Sequence, residues 1–200
     1  MKPSATLIRL TGVALFSPTT GPTLTCFVGN VAFRQNAQTF DAIRLELTPL
    51  KGLKADLTYA WDVRTIWGVE GAGARQQGVG GDNVFANLSY ATPVGTLTGF
   101  AYLIDQDEAA VQGYRLSSQS YGVRLAGAQK LPATAKLSYQ ASYATQSEYG
   151  RNPNDYRADY YQVDAGLEVS GFRLGAGYEV LGADKGAALT SFQFPLGTNF

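Results

Sequence analysis

The segment 53–63, LKADLTYAWDV, alternates apolar and polar residues without a break. Tyr59 and Val63 fall on one face of this pattern, and Asp56 and Asp62 fall on the other. Alternation with a period of two over this length predicts a β-strand with one apolar face. In a soluble sandwich the apolar face lies inside, whereas in a transmembrane barrel it meets lipid and the polar face lines a lumen.

The same alternation recurs along the chain and predicts eight strands in four hairpins. The hairpins are 40–48 with 53–63, 83–91 with 96–105, 119–129 with 135–146, and 159–170 with 172–182. Further strands at 23–33 and 187–194 bring the number to nine or ten. No long stretch has helical periodicity. The predicted fold class is therefore all-β: an antiparallel up-and-down transmembrane β-barrel, or part of one.

Tight turns alternate with long polar connections in this pattern. The turns PLKG, TPVG, KLPAT and SG join the strands within each hairpin, and the segments 69–82, 105–118 and 147–158 join one hairpin to the next. Outer-membrane barrels have this arrangement, with short turns on one side and long loops on the other. The predicted strands are also longer than about six residues, the usual length in globular proteins.

The two faces of the predicted strands differ in chemistry. The apolar face combines small residues in mid-strand, such as Ala86 and Ala141, with aromatic residues towards strand ends, such as Tyr59 and Tyr178, which suits a lipid-facing band with aromatic girdles. The opposite face carries too many charges for a packed core. These residues are Arg44, Glu46, Lys54, Asp56, Asp62, Arg64, Arg124, Lys136, Asp164, Glu168, Arg173 and Glu179. Water is predicted on that side, either in a lumen or, as an alternative, around a soluble or surface β-barrel that binds small molecules.

Composition excludes several kinds of function. Lysine plus arginine number 16, as do aspartate plus glutamate, so no net charge attracts nucleic acid and none is expected as a partner. Histidine is absent and Cys26 is the only cysteine, which removes histidine-dependent catalysis, zinc clusters and intrachain disulfides. Cys26 is interpreted as a small buried residue. We expect no enzyme activity, no cofactor and no metal.

The N-terminal segment 1–21 has an atypical pattern. Lys2 precedes a short apolar stretch, but Arg9 interrupts it and no cleavage site of small residues follows, so a signal peptide is not predicted. No apolar run reaches the length of a transmembrane helix. The sequence therefore predicts two parts, this segment at 1–21 and a β-barrel domain at 22–200.

Four phrases of the chain resemble the alginate-export-like family of Gram-negative outer-membrane porins. They are VGNVAFRQNAQTFDAIRLEL (28–47), TYAWDVRTIWG (58–68), the stretch 147–184 that begins SEYGRNPNDYRADYY, and LTSFQFPLGTNF (189–200). The resemblance implies a barrel in the bacterial outer membrane that passes small hydrophilic solutes, among them anionic sugars. Members of the family are longer than this chain, so the resemblance also implies a fragment of a larger barrel.

By matching position and strand phase, the resemblance places basic residues on the wall of a pore. They are Arg34, Arg44, Lys54, Arg64, Arg124 and Arg173. Guanidinium groups can pair with sugar carboxylates through two parallel hydrogen bonds. Acidic residues share the same predicted face, however, and a ladder of ion pairs that holds the wall is the other interpretation.

The same resemblance implies the partners of the chain. They are outer-membrane lipid, small hydrophilic solutes and the barrel-assembly machinery. The last is expected because Phe200 resembles the terminal aromatic residue that this machinery reads. The resemblance favours a monomer.

Three loop motifs suggest other chemistry. GAGARQ (71–76) has glycines at the spacing of a phosphate loop, but it opens no helix and is interpreted as a plain loop. DQDE (105–108) and NPND (152–155) offer oxygen ligands for calcium, but neither has the spacing of a dedicated calcium site. Both are predicted to be solvated loop tips.

Overall fold

The structure, a computed structural model, describes residues 8–11, 38–73, 75–132, 135–184 and 188–196 of the chain. They form one antiparallel sheet of nine strands, in which each strand pairs with its neighbours in the chain. The strands are β1 (Ile8–Thr11), β2 (Thr39–Leu50), β3 (Leu53–Arg64), β4 (Gly78–Thr92), β5 (Gly95–Gln106), β6 (Ser118–Lys130), β7 (Lys136–Glu148), β8 (Arg157–Val169) and β9 (Phe172–Leu181). Within the described residues no ladder joins β9 to β1, so the sheet is open. The predicted all-β, up-and-down fold class is confirmed.

The four predicted hairpins are confirmed as β2 with β3, β4 with β5, β6 with β7, and β8 with β9. Their turns lie together at what we call the short-turn end of the sheet, and the long connections lie at the opposite, long-loop end. In the turn at Ser170 and Gly171, φ is positive at both positions, 49° and 85°. This is the type I′ geometry, whose twist matches that of paired strands, and glycine adopts it without steric cost.

The sheet has an outer face that is apolar and exposed. Its members include Ile43, Leu57, Leu88 and Val163, which are 46, 47, 53 and 57% exposed, respectively. The alternate residues form the inner face, on which both Phe85 and the basic residue Arg44 are buried. A band of large apolar side chains is thus exposed on one face while two arginines, Arg44 and Arg124, are buried on the other, a combination that is unusual in a water-soluble protein.

A β-bulge in β3 changes which residues reach each face. In the register with β2, the adjacent residues Asp41 and Ala42 pair with Asp62 and Ala60, so Trp61 between them is the extra residue. Beyond it, Val63 is fully buried on the inner face, and Asp62 and Arg64 are in register with outer-face positions of β4. The prediction that placed Val63 outside, and Asp62 and Arg64 inside, is therefore wrong. One extra residue reverses the phase of a period-two pattern.

Residues 188–196 do not form the strand predicted at 187–194. They make isolated contacts, such as the bridge of Ser191 with Ala183, and no extended ladder within the described residues. Phe192 and Leu196 are instead buried, at 2 and 4% exposure, against the aromatic residues of the inner face. The alternation in this segment therefore reflects packing on a face of the sheet, which also has a period of two when the backbone is extended.

The N-terminal part of the chain is described at β1. The predicted strand 23–33, with Cys26, lies outside the described residues. Strand β1 belongs to the range 1–21 and pairs with β2, and the boundary between 1–21 and 22–200 stays a prediction. In the part of the chain that the structure describes, no helix has the length and apolar character needed to cross a membrane.

Candidate functional site

The inner face is aromatic towards its long-loop end. Phe40, Phe85 and Tyr102, on β2, β4 and β5, meet edge to face, with ring centroids 6.1 and 5.7 Å apart. Phe100 stacks on Tyr102 at 5.0 Å. Gly122 of β6 makes room for this ring, because a Cβ added there would overlap Phe100. The buried cluster of the sheet therefore lies on the face that the sequence pattern predicts to be polar.

The segment 188–196 covers this aromatic region. Phe192 stacks on Tyr160 of β8, with centroids 5.2 Å apart and ring planes inclined by 30°. Phe194 meets the same tyrosine edge on at 5.7 Å. The hydroxyl of Tyr160 donates a hydrogen bond to Glu179 of β9 at 2.6 Å. The aromatic contacts thus place the segment against β8.

Two glutamines fix the backbone of the same segment. Nε2 of Gln146 on β7 donates a hydrogen bond to the backbone carbonyl of Gln193 at 2.9 Å. The backbone N–H of Gln193 donates in return to Oε1 of Gln146 at 2.8 Å. Gln38, just before β2, donates from Nε2 to the carbonyl of Leu196 at 2.8 Å. The segment therefore runs from β9 across the inner face to the start of β2.

The long loops hold this segment at its other end. Asn154, between β7 and β8, donates from Nδ2 to the carbonyl of Ala188 at 2.9 Å. Asn152 donates to the carbonyls of Arg115 and Ser117, between β5 and β6, at 3.0 and 2.7 Å. Two long loops and the segment are thus one hydrogen-bonded unit.

Tyr156 links that unit to the glutamine contact. It is buried, and its hydroxyl donates to Oε1 of Gln146 at 3.3 Å. Its backbone amide donates to Glu148 at 3.1 Å. Burial, and then the charge of Glu148, raise the pKa of Tyr156 to about 12. Its hydroxyl therefore stays protonated, and able to donate, well above neutral pH.

The two motifs considered for calcium lie in these loops. Asp107 of DQDE forms an ion pair with Arg151, which directly precedes NPND. Asn152 and Asn154 of NPND bind backbone carbonyls as described above. The described residues contain no group of three or more histidine, cysteine or acidic side chains placed to hold a metal ion.

Towards the short-turn end the inner face is polar. Arg44 of β2 donates from Nε to Asp56 of β3 at 2.8 Å, and its Nη2 lies 3.0 Å from Glu46. Nζ of Lys54 lies 3.8 Å from the same Glu46 carboxylate. Two acids neutralise the buried Arg44, and the four residues form a ladder of ion pairs across β2 and β3.

Arg124 of β6 has a different environment. It is buried and donates to Oε1 of Gln140 on β7. Nε2 of Gln140 then donates to Oε1 of Gln162 on β8 at 2.7 Å. Both amides are neutral, so these two hydrogen bonds orient the guanidinium without cancelling its positive charge.

Arg173 of β9 borders a groove on the inner face. It pairs in register with Glu168 of β8. The groove has a volume of about 480 Å³ and is lined by Arg173, Asp164 and the glycines Gly166 and Gly177. Because the glycines have no side chains, the floor of the groove is backbone.

Four predicted wall residues lie on the inner face, namely Arg44, Lys54, Arg124 and Arg173. Arg64 is on the outer face, 3.7 Å from Asp62, and Arg34 lies outside the described residues. Sequence reasoning missed the inner aromatic residues. The alternation of the strands could have revealed them, because Phe40 is an even number of residues from Arg44 and therefore lies on the same face of β2.

The outer face carries tyrosines towards the long-loop end whose hydroxyls donate to polar side chains. The pairs are Tyr59 with Asp82, Tyr121 with Gln119 at 3.1 Å, and Tyr143 with Asp159 at 3.1 Å. These rings mark the border between the apolar band and a polar rim, as aromatic girdles do at a membrane interface.

Comparison with known proteins gives a structural match. The crystal structure of Pseudomonas aeruginosa OpdL aligns with a TM-score of 0.65 and 15% sequence identity, over 88% of this chain and 45% of that chain. This similarity shows the fold, and the chain spans less than half the length of OpdL. No family model and no curated protein sequence matches the chain. The resemblance to the alginate-export-like family is therefore not confirmed.

Proposed function

We propose that this chain forms part of the wall of an outer-membrane, porin-like channel through which small hydrophilic solutes diffuse passively. The observation that carries the proposal is the band of exposed apolar side chains on one face of the sheet, opposite a face that carries arginines. Leu57, Leu88 and Val163 are exposed on the outer face, and Arg44 and Arg124 are buried on the inner face. A polar lumen suits the inner charges, and lipid suits the outer band. The fold similarity to OpdL, an outer-membrane porin, supports the same conclusion.

In this proposal the short-turn end faces the periplasm and the long-loop end faces the exterior, as in other outer-membrane barrels. The chain is inserted by barrel-assembly machinery into the outer membrane of a Gram-negative cell and works within a monomeric barrel. The segment 188–196 narrows the channel at its exterior side, because it lies across the inner face. The proposal involves no catalytic step.

The proposed solutes include anionic sugars, but with weak selectivity for charge. Arg44 contributes little field, because Asp56 and Glu46 neutralise it. Arg124 is hydrogen-bonded to an amide and is the best candidate for attracting an anion. Arg173, beside the glycine-floored groove, is the second candidate.

The orientation of the faces can be tested with adjacent residues of β8. Val163 lies on the outer face and Gln162 on the inner face. In a membrane barrel, Val163→Lys should reduce insertion into liposomes, since a lysine at mid-bilayer costs about 2–4 kcal/mol. Gln162→Lys should insert like the unmodified chain. Equal insertion of both variants, or a chain that stays folded in water without detergent, would favour a soluble binding module instead.

Channel activity is tested by planar-bilayer recording. Stepwise conductance is expected from preparations in which the chain, alone or together with the strands that complete the wall, migrates faster on gels unboiled than boiled, the sign of a closed barrel. Insertion of such a closed barrel without conductance would overturn the channel while leaving the membrane location in place.

A further inference from the structure

The outer face has an apolar groove on β2 to β5. Its volume is about 430 Å³. The walls are leucines, among them Leu47 and Leu57, and the floor is made of the small residues Ala55, Ala86 and Ala101. It lies on the face that the proposed function turns towards lipid.

The strand register explains why the surface is hollow there. Ala86 and Ala101 are directly paired, and the row continues to Leu57 on one side and Tyr121 on the other. Ala55 in the next row lies between Leu47 and Leu88. Short side chains between long ones leave a channel only one or two residues wide. A flexible linear chain fits such a channel better than a second flat sheet does.

The groove lies at the depth of hydrocarbon and has a cation below it. Tyr59, hydrogen-bonded to Asp82, borders it towards the long-loop end, and the exposed Tyr90 lies towards the short-turn end. Lys51 is exposed in the adjoining turn between β2 and β3. In the described part of the chain, Lys51 has no acidic side chain within 4 Å. Its charge is available to a phosphate at the membrane surface.

We propose that this groove binds one acyl chain of a phospholipid whose phosphate is held by Lys51. Water occupies about 30 Å³ per molecule, and a methylene group is of similar size, so 430 Å³ accommodates most of such a chain. The inference rests on the membrane orientation given under Proposed function. It adds a lipid that stays with the protein, in contrast to the bulk lipid around it.

The test uses the full chain refolded in dodecyl maltoside with dioleoylphosphatidylglycerol as the probe. Native mass spectrometry counts the lipids that remain on the protein after the micelle is removed. One retained lipid is expected. Filling the groove with Ala86→Leu and Ala101→Leu should lower its retention at least fivefold, and Lys51→Gln should lower it by a smaller factor. The matched control is Ala165→Leu on the outer face of β8, which should change nothing.

A further variant controls for the possibility that the variants with a filled groove misfold. Leu57→Ala removes a wall and should also lower retention without adding bulk. Equal retention by the unmodified chain and all groove variants would overturn the groove alone. A dimer that the filling variants abolish would also overturn it, and would assign the surface to contact between copies. Failure of the unmodified chain to insert into liposomes would overturn the proposed function together with the groove.

Discussion

Gln146 on β7 and Gln193 in the segment after β9 exchange two hydrogen bonds. Nε2 of Gln146 donates to the backbone carbonyl of Gln193 at 2.9 Å, and the backbone N–H of Gln193 donates to Oε1 of Gln146 at 2.8 Å. One side chain thus satisfies both backbone groups of a residue that has left the sheet. Buried peptide groups need such partners. The position of the segment on the inner face therefore depends on this residue.

Replacing Gln146 by leucine should release the segment. Both backbone groups of Gln193 lose their partner, which costs about 1–3 kcal/mol for each group left unsatisfied. Hydrogen exchange of the peptide 188–196 should become faster, and single-channel conductance should rise. Gln129→Leu, at the short-turn end of β6, is the control and should leave both unchanged. Unaltered exchange in Gln146→Leu would show that the aromatic contacts and the hydrogen bonds from Gln38 and Asn154 hold the segment without Gln146.

The bulge at Trp61 predicts different effects for two arginines. Arg124→Gln should reduce the preference for anions, read from the reversal potential in a salt gradient, because Arg124 lies on the inner face. Arg64→Gln should leave the reversal potential unchanged, because Arg64 lies on the outer face beside Asp62. A shift in Arg64→Gln as large as in Arg124→Gln would contradict the assignment of the faces.

Removing the charge of Asp56 should have two effects. Asp56→Asn leaves Glu46 as the acidic partner of Arg44 among the described residues, so the anion preference should increase by roughly a factor of two. The variant should also unfold more readily in urea, by about 3 kcal/mol, since it weakens a buried ion pair. Asp159→Asn on the outer face is the matched control for selectivity. A reversal potential that does not move in Asp56→Asn would mean that the ladder does not face the conducting path.

Tyr156 predicts a loss of stability in alkali. Its pKa is about 12 in the folded chain and 10 ordinarily. The unfolded tyrosine therefore loses its proton first, and the contribution to stability is full below pH 10 and disappears as pH rises from 10 to 12. The urea midpoint of Tyr156→Phe should lack this component, and the difference between the two curves isolates it from other tyrosines. Parallel curves from pH 8 to 12 would refute the prediction.

Two glycines on adjacent strands should respond differently to alanine. Gly122→Ala on β6 forces a methyl group into Phe100 and should cost about 1–3 kcal/mol, as overpacking does. Gly99→Ala on β5 meets nothing within 4 Å and should be nearly neutral. Urea unfolding in detergent measures both. Equal effects would mean that the loss of backbone freedom, and not the contact with Phe100, determines the result.

The hairpins and their order could be predicted from the sequence because the alternation of apolar and polar residues and the residue types of the turns are both visible in short stretches of the chain. A type I′ turn at Ser170 and Gly171 is visible in two residues, and alternation shows a strand without knowledge of its partner. The bulge was not predictable in this way. Trp61 looks like one more outward residue, and only the pairing with β2 shows that it is the extra one.

The candidate site was predicted in part for a related reason. Parity placed Arg44 and Arg124 on one face, but the neutralisation of Arg44 by Asp56 depends on the register between two strands. The alternating Phe192 and Phe194 suited a strand equally well. Whether such a pattern pairs along its backbone or packs through its side chains is decided by residues distant in sequence, here Gln146 and Tyr160.

The positions of the outer tyrosines on their strands also indicate how far the strands are inclined. The row of paired residues that starts at Tyr59 passes through Val84, Leu103 and Gln119 and reaches β7 at Ser147. Tyr143, the next tyrosine of the girdle bound to an aspartate, lies four residues lower on β7 (147 minus 143). Four residues measure about 13.6 Å and four strand spacings about 19 Å, so a level girdle requires a tilt of about 35°. The tyrosines of this open sheet are thus level with a flat membrane only when its strands lean as those of closed outer-membrane barrels do.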